Sequence, residues 1–147
     1  MPTPISSATT SPLATLNARQ LIAAMREFRA RTLALVADLD DRQMIGPRLA
    51  IVNPPLWEIG HLAWFQEKWC LRTDPPAGSL LENADRLYDS SAVPHDVRWD
   101  LPLPSVEQTK SYLRNVLERV TIADVVAGKL PRSVERLLED PEAWKPH

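Results

Sequence analysis

The chain has 147 residues with 44% hydrophobic and 24% charged side chains, a net charge of −2 and a pI of about 5.9. The length and composition predict one domain with a core large enough to fold unaided. The near-zero net charge argues against a nucleic-acid partner. No apolar run is long enough to cross a membrane. The single cysteine, Cys70, cannot form an internal disulfide, so we expect a cytoplasmic protein in which Cys70 packs as a small hydrophobic residue.

The first 14 residues are predicted to be a flexible tail, and residues 15–147 a helical domain. The tail is rich in Ser, Thr and Pro, carries no charged side chain and lacks the features of a secretory signal. A helix is then predicted from Asn17 to Leu39, with Asn17 and Gln20 forming a capping box. Its core-facing stripe is predicted to hold Leu21, Met25, Phe28, Thr32, Leu35 or Val36, and Leu39. Its solvated outer face is predicted to hold Arg19, Arg26, Glu27, Arg29 and Arg31.

A second helix is predicted from Asn53 to about Arg72. The preceding segment, residues 40–52, contains a glycine and a proline in succession, which end the first helix. Asn53 is the predicted N-cap and Pro54 the first helical residue, because these residue types favour those positions. The breaker-rich sequence TDPPAGS then ends the second helix.

Residues 73–104 contain many prolines and no sustained period, so we predict a long, ordered loop that packs on the helices. A third helix is predicted to start at Ser105, where SVEQ is a capping-box pattern, and to fray near Ala127. A short, divergent fourth helix is predicted over residues 133–139. No strand alternation occurs in the sequence, so the predicted fold is an all-α helical bundle with one extended connection. The apolar face of the third helix is predicted to hold Thr109, Tyr112 or Leu113, Val116, Leu117 and Val120.

The second helix carries His61 on an aromatic face, with Trp57, Trp64 and Phe65 at positions i−4, i+3 and i+4. Two interpretations stay open from the residues alone. A lone histidine on an apolar face is often a core residue with one satisfied hydrogen bond. The alternative is a ligand, because Gly60 is costly inside a helix and indicates close approach by another group.

A metal site on this helix would need more ligands than the spacing supplies. Glu58 and His61 have the Glu-x-x-His spacing of carboxylate di-metal bundles, but a metal site needs three or four converging donors. Neither His95, in the long loop, nor His147, the last residue, lies on a periodic helix face. The five tryptophans are predicted to be core residues, with an aromatic wall beside a cationic ligand as the alternative.

Two segments carry a family resemblance: residues 53–72, with the sequence NPPLWEIGHLAWFQEKWCLR, and residues 87–105, with the sequence LYDSSAVPHDVRWDLPLPS. Together with the helix that follows, they resemble the N-terminal DinB-like domain of the ergothioneine-type sulfoxide synthases, which are non-haem iron enzymes. The resemblance covers roughly residues 16–120. The sequences DSS and RWDLPLP resemble the selenoneine synthase branch more than the branch that makes ergothioneine.

The resemblance implies a DinB-like bundle in which His61 is one of three histidine ligands of Fe(II). For the full enzymes of this family, the resemblance implies oxygen-dependent C–S or C–Se bond formation on hercynine, a trimethylated histidine. The other two family ligands belong to a later His-x-x-x-His element, which this sequence lacks, as it lacks the family's large C-terminal domain. We therefore expect a truncated domain, family-like to about residue 120 and divergent over 121–147, that is inactive alone.

Three alternatives stay open. In the first, the chain is part of a split or oligomeric enzyme whose missing ligands come from a separate catalytic chain. In the second, it is a helical binding or assembly module whose open bundle groove drives self-association at micromolar concentration. In the third, it is a thiol-dependent transferase of the wider DinB-like superfamily, which also uses histidine triads. A hercynine-type small molecule is expected to bind only where the site is completed.

Overall fold

A computed structural model describes residues 17–72 and 78–127, with side chains described as far as Thr121. Five α-helices occur in these ranges: α1 (Ala18–Val36), α2 (Asp41–Ile45), α3 (Pro55–Leu71), α4 (Ala84–Tyr88) and α5 (Val106–Ala127). A 3-10 helix covers His95–Val97. No strand occurs within the described ranges, so the prediction of an all-α fold is confirmed. In the same ranges, no helix combines the length and apolarity that a bilayer span requires.

The core is built around α3, which packs most extensively against α5 and also contacts α2 and α4. A helix enclosed on several sides must be apolar on more than one face, and the aromatic residues of α3 meet that requirement. On α5 the predicted apolar face is confirmed, because Thr109 is buried and Leu117 is partly buried beside the apolar residues. The buried core residues of the two helices are Leu56, Trp57, Ile59, Ala63, Trp64, Tyr112, Leu113, Val116 and Val120.

The predicted core-facing stripe of the first helix is confirmed only in part, because Met25, Val36 and Leu39 pack against the core. Phe28, which was expected to face the core, is 63% exposed, and of the alternatives Leu35 and Val36 it is Leu35 that is exposed, at 80%. Two neighbouring faces of α1 both carry apolar residues, so periodicity alone could not choose between them. The residues of α1 that pack inward are Ile22, Met25, Leu33 and Val36. The helix ends at Val36 rather than at the predicted Leu39, which packs inward from the segment that follows.

Arg29 lies on the inner side of α1, so its predicted place on the solvated outer face is wrong. Its guanidinium donates to the carbonyl of Leu113 on α5 and, at 2.7 Å, to Oε1 of Gln66 on α3. Burial lowers the pKa of Arg29. The long aliphatic stem of arginine can cross apolar surface while its donors reach polar partners, which makes this inward position possible.

The helix starts follow capping boxes. At α1, the Asn17 and Gln20 side chains exchange hydrogen bonds with each other's backbone N–H at 3.0 and 2.9 Å, as predicted. At α5, Ser105 and Gln108 do the same at 2.9 and 3.1 Å. The short helix α2 was not predicted, although Asp40 and the glutamine three residues later form a third capping box there.

The helix α3 begins at Pro55, so the predicted cap at Asn53 is wrong by one position. Pro54 is the N-cap and has no side chain that could accept a hydrogen bond. Asn53 instead donates from Nδ2 to Oε1 of Glu58 at 2.6 Å and accepts from Arg98 at 2.9 Å. Its side chain therefore ties the start of α3 to the long connection rather than capping the helix.

The long connection between α3 and α5 is ordered and packed over residues 78–104, as predicted. It contains α4 and the 3-10 helix, and Leu87, Tyr88 and Val93 are buried. Cys70 is partly buried against the core, as its predicted role as a packed hydrophobic residue requires. The predicted tail (1–14), the start of the connection (73–77) and the predicted fourth helix (133–139) lie outside the described residues.

Candidate functional site

His61 lies on the stripe of α3 that packs against α4. Four positions of α3 form this stripe, namely residues 57, 60, 61 and 64, which share one face at the spacing i, i+3, i+4 and i+7. At one end, Trp57 Nε1 donates to the Leu87 carbonyl at 2.7 Å. At the other end, Trp64 Nε1 donates to Oδ1 of Asp85 at 2.7 Å. These two hydrogen bonds fix α4 on either side of His61.

The imidazole of His61 is held in one orientation. Its Nδ1 lies 2.8 Å from the carbonyl oxygen of Tyr88. A carbonyl oxygen only accepts, so we assign the proton of the neutral ring to Nδ1, which leaves the lone pair on Nε2. The ring stacks on Trp57 with centroids 4.7 Å apart and planes 9° apart, and it lies 5.6 Å from Trp64. The half-buried ring therefore carries its lone pair on Nε2, a nitrogen of the kind that binds metal ions in proteins.

Gly60 allows the close approach that its position in the sequence predicted. A Cβ built at Gly60 would lie 2.4 Å from Cε1 and Cζ of the Tyr88 ring. No side chain can share that space, so only glycine lets the fully buried Tyr88 ring reach the backbone of α3. Burial raises the pKa of Tyr88 to about 12, against a smaller opposing effect of Thr109.

The aromatic rings of the site are contacted by the protein's own cations. The Arg98 guanidinium lies 4.0 Å from the ring centroid of Trp57, and the Lys68 ammonium lies 4.7 Å from that of Trp64. Both distances suit a cation–π interaction. Arg98 also donates to the Val93 carbonyl at 2.9 Å, which fixes the connection over Trp57. These contacts favour packing over recognition of an external cation as the role of the two tryptophans.

Asp85 joins α4 to the far end of the same face of α3. Its carboxylate accepts two hydrogen bonds from Arg72, at 2.7 and 2.9 Å, besides the one from Trp64. The bonds from Arg72, followed by the bond from Trp64, hold the pKa of Asp85 well below its usual range. Asp85 therefore stays ionised at neutral pH and anchors α4.

The described residues fit one ligand of an iron site but not a complete site. Among them, no group of three or more His, Cys, Asp and Glu side chains is placed to hold a metal ion. Glu58, which has the Glu-x-x-His spacing to His61, is hydrogen-bonded to Asn53. His95 Nε2 lies 2.6 Å from the Val52 carbonyl oxygen. His147 lies outside the described residues.

A groove of 740 Å³ lies between the segment 80–87, the segment 102–104 and the first half of α5. Its lining contains Glu82, Glu107 and Tyr112 but no histidine, cysteine, lysine or arginine. His61 does not line it. The groove therefore offers neither a set of metal donors nor a cationic anchor, and it adds nothing to the site at His61.

Comparison with known proteins places these features in a family. The sequence profile of the DinB superfamily matches residues 10–138. Three curated proteins named hercynine oxygenase are similar to the chain. The protein of Mycolicibacterium thermoresistibile is 35% identical over 120 residues, which are 80% of this chain and 25% of that protein. The proteins of Mycobacterium tuberculosis and Mycolicibacterium smegmatis are 33% and 32% identical over 66% and 60% of this chain. The chain spans about a quarter of the length of these relatives.

Proposed function

This chain belongs to the DinB superfamily, and from that premise we propose that it supplies His61 as one iron ligand of a sulfoxide or selenoxide synthase. The proposed enzyme is Fe(II)- and oxygen-dependent and acts on hercynine. Similarity to three hercynine oxygenases supports the substrate class. The observation that carries the ligand role is the 2.8 Å contact between His61 Nδ1 and the Tyr88 carbonyl, which leaves Nε2 as the donor.

The residues around His61 have two tasks in this proposal. The Tyr88 carbonyl accepts the Nδ1 proton and so directs the opposite nitrogen away from α4, an arrangement that also raises the basicity of a metal-binding imidazole. Trp57 and Trp64 flank the ring and restrict its rotation, because both are buried and fixed by hydrogen bonds to α4. The imidazole is thereby prepared for coordination before any metal binds.

We propose that the domain is inactive alone. The family resemblance implies three histidine ligands, whereas the described residues provide one imidazole in a suitable setting. The other two ligands would come from outside the described residues, either from another part of the enzyme or from a separate chain. Isothermal titration of the isolated chain with Fe(II) under anaerobic conditions is expected to show no tight, stoichiometric binding. Tight binding at one Fe(II) per monomer would contradict this part of the proposal.

A chimera tests the ligand role directly. The segment of the Mycolicibacterium thermoresistibile protein that this chain matches is replaced by the matching residues of this chain. We expect the chimera to bind Fe(II) and to consume hercynine with oxygen in the presence of a sulfur or selenium donor. In the matched chimera with His61→Ala, iron binding and turnover are expected to be lost. Retention of both in the His61→Ala chimera would rule His61 out as a ligand.

A second candidate function is a helical assembly module, and one observation favours it. The rings of His61, Phe65 and Trp69 follow one another along α3 with centroid distances of 6.2 and 6.1 Å. Phe65 and Trp69 are each 39% exposed, and their neighbour Leu62 is 44% exposed. An exposed apolar stripe on the central helix of a bundle is the kind of surface on which a second copy can pack.

A further inference from the structure

We propose that Tyr88, seated against Gly60, is the positioning residue that fixes the tautomer and direction of the His61 imidazole. The inference rests on the proposed function, because it concerns how His61 is prepared for its role as a ligand. Two features of the α3–α4 contact carry it. One is the gap left by the missing side chain at Gly60, and the other is a pair of backbone carbonyls at the end of α4.

The gap at Gly60 determines where the Tyr88 ring lies. A Cβ at Gly60 would come within 2.4 Å of two ring carbons and 2.5 Å of the hydroxyl oxygen. On the α5 side, the Tyr112 ring lies with its centroid 6.5 Å from that of Tyr88, at an angle of 23°. The fully buried Tyr88 ring is therefore confined between α3 and α5, and it cannot move without displacing one of them.

The pair of carbonyls determines how His61 is oriented. The last carbonyls of a helix have no partner within the helix, so they are free to accept other hydrogen bonds. At the end of α4, the carbonyls of Leu87 and Tyr88 lie 2.7 and 2.8 Å from Trp57 Nε1 and His61 Nδ1. Two rings stacked at 9° thus donate to two successive carbonyls. A small shift of α4 would weaken both hydrogen bonds together.

The Tyr88 side chain acts through its own main chain. Because the ring is confined, the backbone of Tyr88 is fixed, and its carbonyl points at His61 Nδ1. The ring therefore positions His61 through the main chain of its own residue. Outer hydrogen bonds of this kind orient histidine ligands and are worth roughly 10–100-fold in metal affinity.

The test measures the tautomer of His61 in the full 147-residue chain. Long-range ¹H–¹⁵N spectra are recorded at a pH where the imidazole is neutral. The wild-type chain is expected to show the His61 proton on Nδ1. Gly60→Ala, which displaces the Tyr88 ring, is expected to lose this single tautomer and give a mixture with the proton on Nε2. Gly78→Ala is the matched control, because a Cβ at Gly78 meets nothing within 4 Å, and it is expected to behave as wild type.

Two further variants distinguish the positioning of His61 by the Tyr88 ring from a general loss of folded structure. Tyr88→Phe keeps the ring and the carbonyl, so the Nδ1–H tautomer is expected to remain. Tyr88→Leu keeps Gly60 but removes the confined ring, so the single Nδ1–H tautomer is expected to be lost. A wild-type His61 protonated on Nε2, or a folded Gly60→Ala chain with an unchanged tautomer, would overturn the inference. The wild-type spectrum decides the matter even where Gly60→Ala does not fold.

Failure of this inference can be told apart from failure of the proposed function. In the chimera that completes the site, Gly60→Ala is expected to weaken Fe(II) binding by roughly 10–100-fold. Should His61→Ala leave iron binding intact while the tautomer responds to Gly60→Ala, positioning stands and the ligand role fails. Should His61 be required for iron while Gly60→Ala changes neither tautomer nor affinity, the ligand role stands and positioning by Tyr88 fails.

Discussion

Glu67 of α3 is a buried carboxylate that holds residues 79 and 80 of the long connection. It accepts hydrogen bonds from the Tyr112 hydroxyl at 2.6 Å, from the Ser79 hydroxyl at 2.7 Å and from the backbone N–H of Leu80. Burial, together with the hydrogen bond to Glu67, raises the pKa of Tyr112. One side chain thus joins α3 to α5 and to the connection.

Replacing this carboxylate tests its contribution. Glu67→Gln keeps the shape but removes the charge and one accepting oxygen, so a buried donor loses its partner. We expect the free energy of unfolding to fall by about 1–3 kcal/mol in urea denaturation. Glu107→Gln, at an exposed carboxylate 3.9 Å from Lys110, is the control and should change stability by less than about 0.5 kcal/mol. Equal stability of the Glu67→Gln and wild-type chains would show that the three hydrogen bonds contribute no net stability.

Asp85 gives the protein a pH-dependent contribution to stability. Hydrogen bonds from Arg72 and then Trp64 depress its pKa in the folded state, so the contribution is present above the unfolded pKa and is lost as the pH falls. Asp85→Asn is expected to lower the free energy of unfolding at neutral pH by about 0.2–1 kcal/mol, since the carboxylate is half-exposed. The difference from wild type should narrow below about pH 4. Asp38→Asn, just after α1, is the control. If the difference in unfolding free energy between Asp85→Asn and wild type stays constant from neutral to acidic pH, the pH-dependent stability does not come from Asp85.

Among single residues, His61 and Gly60 could be picked out from the sequence, but the groups that hold His61 in place could not. His61 was predicted as a ligand from the resemblance, and this stays a prediction. Gly60 was predicted to mark close approach, which the Tyr88 ring confirms. The partner of His61 could not be predicted, because a backbone carbonyl carries no residue-specific pattern and lies 27 positions away in the sequence. Arg29 was misplaced for a related reason, since its partners lie on other helices.

At the scale of helices, local chemistry predicted the long elements and missed the short ones. The capping boxes at Asn17 and Ser105 fixed the starts of α1 and α5 within one residue. The helices α2 and α4 have five residues each, too few to show a hydrophobic period. The capping box at Asp40 could have predicted α2. No such signal precedes α4. Its N-cap, Asn83, has a left-handed φ of 59° and makes no side-chain hydrogen bond to the helix.

The N-terminal cap of α5 is expected to contribute to stability, because α5 is one of the two helices that form most of the core. Ser105→Ala removes the hydroxyl that accepts from the Gln108 backbone N–H, and it leaves that donor to water. We expect a loss of about 0.5–2 kcal/mol in unfolding free energy, measured by thermal or urea denaturation. Ser90→Ala, at an exposed serine in the connection, is the control and should change stability by less than about 0.5 kcal/mol. A loss in Ser90→Ala as large as in Ser105→Ala would assign the effect to something other than capping.

For the whole molecule, the helical class followed from the sequence, whereas the packing of α1 followed only in part. The helix α5 carries one dominant apolar face, so its buried residues could be predicted. The helix α3 is apolar on more than one face, and Trp69, expected in the core, is 39% exposed. The helix α1 has a single buried side chain, Ile22, and its orientation is set by contacts that only the folded bundle provides. Phe28 and Leu35 are left exposed as a result.

The exposed stripe of α3, formed by Leu62, Phe65 and Trp69, is a surface on which a second copy of the chain can pack. These side chains lie beside His61 on the central helix, where apolar surface is costly to expose. We expect the chain to self-associate through this stripe at micromolar concentration, and sedimentation velocity over a concentration series should show a rising average mass. Leu62→Ser with Phe65→Ser should abolish the rise. Leu35→Ser is the matched control, because it removes a more exposed leucine from α1 and should leave association unchanged. A wild-type chain that stays monomeric throughout the series would exclude assembly through α3.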